Sequence, residues 1–139
     1  MAKWTEPSDE MVDLILTFIA KAGLEHLINT KVIVNDEQKT LFIVKKETAA
    51  NVFAYGYDLK VIVNESIFDG LTDYQKTLAV EEALAGVHYD LQNDKLVVSP
   101  RDKVYKSFID KRGWEEFEVL EESIKSLYDS AKNDKNLEG

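Results

Sequence analysis

The sequence predicts an α+β domain: an N-terminal helix, a small mixed sheet of three or four strands, then helices. Three observations predict it. Apolar residues recur at helical spacing near both ends of the chain, short β-branched runs lie between them, and no linker-like stretch divides the two. A chain of 139 residues with 45% hydrophobic content has the length of one domain and enough apolar side chains for a core. The expected boundaries are a single domain over 8–131 and a flexible C-terminal tail over 132–139.

Each element has a local reason. Ser8 followed by Asp9 and Glu10, after Pro7, supplies a helix cap and first-turn acids. Met11, Leu14, Ile15, Phe18, Ile19 and Ala22 then recur at helical spacing, and Gly23 marks the end. Lys31 to Asn35 reads as a strand. Asp36 to Lys39 is a polar turn, and Thr40 to Lys45 a second strand, so the pair is expected to form a hairpin. Ala49 to Phe53 is ambiguous. Leu59 to Asn64 is a third strand, rich in β-branched residues. Glu65 to Phe68 suits a short helical turn. Thr72 with Gln75 three residues on matches a capping box and opens a helix expected to reach Tyr89. Gln92 to Asp94 is a turn, and Lys95 to Val98 an edge strand. Pro100 precedes another helix, with Val104, Tyr105, Phe108 and Ile109 on one face and Gly113 as its stop. A last helix runs from Trp114 to Ala131, with Phe117, Leu120, Ile124, Leu127 and Tyr128 as its apolar stripe.

Composition excludes several chemistries. There is no cysteine, hence no disulfide, thiolate metal site or cysteine nucleophile. No apolar run approaches the roughly 20 residues of a membrane helix, and the start of the chain lacks a signal-peptide core. A cytoplasmic protein without membrane contact is the expectation. The formal charge of −9, from 26 acidic and 17 basic residues, opposes direct binding to phosphate backbones. It suits a basic protein partner, or serves solubility alone.

The helix opened by Thr72 is the informative segment. A helix-borne zinc site needs two histidines four residues apart, so that both imidazoles meet one metal, with a glutamate as general base. Here the corresponding stretch, Leu78 to Asp90, holds Glu81, Glu82, Ala85 and His88. Around it stand Gly56-Tyr57-Asp58, Val61-Ile62-Val63, Ile67-Phe68, Leu71-Thr72, Gln75, Pro100-Arg101-Asp102 and Gly113-Trp114. In this order the stretch from Ala54 to Trp114 resembles the phage metallopeptidase family, of zincin-like fold. The resemblance implies a minimal zincin-like domain: N-terminal helix, small mixed sheet, former active-site helix and two C-terminal helices. It also implies a lost active site. Glu81 and Ala85 stand at the positions of the two zinc histidines and Arg101 at or near the third ligand; Glu82 matches the catalytic base. Ala85 has no donor atom, and an arginine would repel a dication, so no metal and no cofactor are expected.

Blander readings stand beside these. On sequence alone Glu81 and Glu82 read first as solvated helix residues, and second as ion-pair partners of Arg101 filling the vacated pocket. His26 and His88 lack a second histidine at ligand spacing. A rearranged metal set of Glu81, Glu82, His88 and Asp90 is the alternative that would keep a residual hydrolase using Glu82. Trp114 suits core packing, or an exposed anchor for a partner. Glu115, Glu116, Glu118, Glu121 and Glu122 stabilise a helix N-terminus, or form an acidic face for a basic partner. The leading expectation is a non-catalytic phage or prophage protein acting by protein–protein binding in the host bacterial cytoplasm, as an acidic inhibitor of a host nucleic-acid-binding or defence protein. A virion-associated structural subunit is the other alternative.

Overall fold

A computed structural model describes residues 4–99 and 113–138. Helix α1 spans Asp9–Lys21 and begins as its sequence dictates: the Ser8 hydroxyl accepts from the Met11 amide at 3.2 Å. Gly23 takes a left-handed φ of 77°, which stops the helix where a side chain would be strained. Met11, Ile15 and Ile19 form its buried stripe.

The main sheet has four strands, β1 (Trp4–Thr5), β2 (Thr30–Asn35), β3 (Phe42–Lys46) and β4 (Leu59–Val63), in the order β1-β2-β4-β3. It is mixed, as expected: β4 runs parallel to β2 and antiparallel to β3. The expected β2–β3 hairpin does not form, because β4 inserts between them. Leu59, Val61 and Val63 are fully enclosed and Ile62 is buried, so β4 is apolar on both faces and takes the centre. The polar turn after β2 must then cross the end of β4. Asn64 holds it there, its amide donating to the carbonyls of Asp36 and Gln38 at 3.2 and 3.1 Å. Gln38 in turn donates to the carbonyls of Leu41 and Ile62. Strand β1, two residues long, has no counterpart in the sequence reading.

The ambiguous stretch is helix α2 (Ala49–Tyr55), capped by Thr48 and ended by Gly56 at φ 78°. Helix α3 spans Glu65–Phe68, and α4 spans Asp73–Leu84 with the expected capping box of Thr72 and Gln75. Helix α4 ends five residues before Tyr89. Val87–Asp90 is instead strand β5, paired antiparallel with β6 (Lys95–Val98) as a separate two-stranded sheet. Gly86 and the alternating Val87-His88-Tyr89 favour a strand over a fifth helical turn. The Asp90 carboxylate closes the hairpin by accepting from the Gln92 and Asn93 amides.

Helix α5 runs Trp114–Glu138, so the backbone of the tail expected over 132–139 is helical through Glu138. The helix expected after Pro100 lies outside the described residues. The core is one cluster between the sheet's inner face and the helices. Ile15 of α1, Val61 of β4, Val80 of α4 and Leu120 of α5 all enter it. Each fully enclosed aliphatic side chain of this kind contributes about 2 kcal/mol by leaving water.

Candidate functional site: a cleft beside the outer strand

A cleft of about 600 Å³ opens between β3, α4 and α5. Helix α4 contributes Ala79, Glu82, Ala83 and, just past its end, Gly86. These recur at three- and four-residue steps, so they form one helix face. Strand β3 and the residue before it contribute Leu41, Phe42 and Val44; α5 contributes Glu121, Ile124, Lys125, Tyr128 and Asp129.

The strand's backbone matters here. The Asn64 amide donates to the Leu41 carbonyl, and the Glu47 amide to that of Asp58. In an antiparallel ladder the hydrogen-bonded pairs alternate, so Ile43 and Lys45 also direct their backbone groups at β4. Phe42, Val44 and Lys46 direct theirs away from it. Among the described residues no strand pairs with that outer edge.

The cleft's electrostatics are mixed. Glu82 is 8% exposed, and neither it nor Glu121 is without an interaction partner. Lys39 and Lys125 bring positive charge to the lining. Burial pushes the Tyr128 phenol up to about 12, and its hydroxyl donates to the Gln38 carbonyl at 3.3 Å. That places Tyr128 against the crossover held by Asn64.

The residues singled out in the sequence separate. Glu82 lines the cleft; Glu81 and Ala85 do not. Glu81 is buried and engaged, and Ala85 is exposed at the helix end. Glu81 and Glu82 are therefore not solvated helix residues. Burial of a carboxylate is tolerated only with compensation, and neither residue is without a partner. Arg101 lies outside the described residues. His88 is exposed on β5, and Asp90 is spent on its own turn. Among the described residues no three His, Asp or Glu side chains gather at metal-holding distances. Trp114 is 58% exposed, with its ring 5.8 Å from that of Phe117, so it is not a core residue. Glu115, Glu116, Glu118 and Glu122 are exposed on α5, whereas Glu121 turns into the cleft.

The cleft residues that sequence reasoning missed are Phe42, Val44, Ile124 and Tyr128. Their periodicity marks them as inward-facing, but inward-facing toward core and toward cleft read alike. The arrangement offers an apolar trough, a row of backbone donors and acceptors, and one buried carboxylate. Among the described residues it does not bring together the three ligands with an open water site that hydrolytic zinc needs.

No family model, no curated protein and no solved structure matches this chain.

Proposed function

We propose that the protein is a non-catalytic protein-binding module, built on a degenerate metallopeptidase-like scaffold, that holds an extended polypeptide segment against β3. The observation that carries this reading is the outward backbone of Phe42 and Val44 along an apolar cleft. An extended segment adds to such an edge through main-chain hydrogen bonds, and the side-chain pockets beside it select sequence. Phe42, Val44 and Ile124 supply apolar contact, and Lys39 and Lys125 select against basic side chains nearby. Catalysis has little support. The cleft face of α4 carries alanine, alanine and glycine beside Glu82, so this helix supplies no further ligand for a metal that would activate water beside that carboxylate. The phage or prophage origin and the host-protein target implied by the resemblance belong to this same proposal, as does action in the host cytoplasm.

Selection from a random peptide library tests it. The full chain should enrich extended, β-prone peptides, and none should be cleaved when zinc is added. Val44→Pro removes an outward-facing amide that β4 does not use, so the ladder survives. It should abolish enrichment while leaving the circular dichroism spectrum unchanged. Equal enrichment by Val44→Pro, or none by the unmodified chain, would sink the proposal.

A further inference from the structure

The unpaired charges of the cleft collect at one end of it. Five charged side chains line the cleft, and two of them, Glu82 and Glu121, have interaction partners. The other three, Lys39, Lys125 and Asp129, form no ion pair among the described residues. Lys39 lies just before β3, on one wall. Lys125 and Asp129 lie on α5, on the other.

Tyr128 shows which end this is. Its hydroxyl donates to the carbonyl of Gln38, the residue before Lys39. Lys125 stands one turn before Tyr128 on the same side of α5, since both line the cleft. The two lysines therefore stand on opposite walls near the start of β3. Glu121 is about 10 Å further along α5 at the helical rise, so it belongs to the other end.

The outer edge of β3 leads to these lysines. Phe42 and Val44 direct their backbone groups away from β4, and the chain before them turns off across the end of that strand, where Asn64 holds it. The Tyr128–Gln38 bond joins α5 to this crossover. A segment laid along β3 toward its start therefore meets a wall, and its chain ends there. Charge decides which end it presents. Two ammonium groups against the single carboxylate of Asp129 favour a carboxylate over an amine. A carboxyl end at the start of β3 makes the segment antiparallel to β3, the slightly more stable pairing.

We propose that the cleft takes the free C-terminus of an extended partner chain, antiparallel to β3, with its terminal carboxylate between Lys39 and Lys125. This rests on the strand-capture reading above and adds to it the end and the direction of the captured segment. The net charge of −9 opposes an anion only at long range, because at physiological salt distant acids are screened beyond about 8 Å.

Two synthetic libraries of short random peptides test it, identical except that one ends in a free carboxylate and the other in a carboxamide. On the immobilised full chain the acids should be captured about fivefold better than the amides at low salt, the worth of exposed charge pairs. The preference should disappear near about 500 mM NaCl. K39E/K125E should lose the preference and still capture amides as the unmodified chain does. Asp129→Asn, which removes the opposing carboxylate, should increase it. Equal capture of acids and amides by the unmodified chain overturns the inference and leaves strand capture standing, whereas capture of neither library overturns both. A preference that K39E/K125E retains overturns the inference too.

Discussion

Asn64 and Gln38 are joined in a knot where the chain crosses the end of β4. The buried Asn64 amide donates to the Gln38 carbonyl at 3.1 Å and to that of Asp36 at 3.2 Å, while its oxygen caps α3 by accepting from Ile67. One side chain therefore fixes both the crossover and the start of a helix. Asn64→Ala removes the cap and takes the side-chain donor from the Asp36 carbonyl, while that of Gln38 keeps the Tyr128 hydroxyl, and should cost about 2 kcal/mol in urea unfolding. Asn64→Asp keeps the cap but loses the donor and buries a charge. It should be the more damaging change at pH 7 and recover partly in acid, where the carboxyl is neutral.

The tie between α4 and α5 rests on a second side-chain amide. The Gln75 side chain accepts from the Thr72 amide through its oxygen and donates to the Ser123 hydroxyl at 2.8 Å through its nitrogen. Gln75→Ala and Ser123→Ala should therefore be non-additive. A double-mutant cycle should show about 1 kcal/mol of coupling, and additive costs would mean that the interhelical bond carries none.

The helix starts and the central strand were legible, because their causes are local: Ser8 and Thr72 are caps, and the run of Leu59 to Val63 is β-branched and apolar. Strand pairing was not legible. Two strands six residues apart look like a hairpin, and only the burial of β4 on both faces shows that a third strand lies between them. The end of α4 was hidden by the helix-forming sequence Glu81 to Ala85, which gives no hint that Val87 will pair with Val98. The cleft was hidden most deeply, since β3, α4 and α5 come together only through tertiary packing.

Two phenylalanines should respond in opposite ways to truncation. Phe68 is 3% exposed and meets the ring of Phe42 edge-on at 5.7 Å, whereas Phe53 on α2 is 94% exposed. Phe68→Ala should lower unfolding free energy by about 3–5 kcal/mol, the cost of a core cavity. Phe53→Ser should stay within about 0.5 kcal/mol of the unmodified chain. A large loss for Phe53→Ser in dilute monomer would show that its ring packs against something in the free protein.

Alkaline unfolding should report the setting of Tyr128. Its phenol ionises near 10 in the unfolded chain and is pushed up to about 12 in the fold by burial. Below pH 10 the group is neutral in both states and its stabilisation is complete. Between about pH 10 and about pH 12 the unfolded chain ionises first, so stability falls as pH rises through that window. Tyr128→Phe removes this titration. Its midpoint of thermal unfolding should fall less steeply over the same interval, and parallel curves for the two proteins would show that the hydroxyl is not desolvated.

Zinc should leave the protein's stability unchanged. A ligand that binds the folded state adds about 2.7 kcal/mol when present at a hundred times its dissociation constant, which a thermal scan detects easily. Such affinity for zinc needs three protein donors around one point. On the cleft face of α4, Glu82 stands beside Ala79, Ala83 and Gly86, and the other acid of that helix pair, Glu81, is buried outside the cleft. Thermal scans with and without excess zinc should therefore coincide, and metal analysis after dialysis should find well under one equivalent. Glu82→Gln should keep peptide capture as well, because the proposed contacts are made by the backbone of β3 and not by that carboxylate. Stoichiometric zinc lost in Glu82→Gln would instead establish a metal site and restore the hydrolase reading.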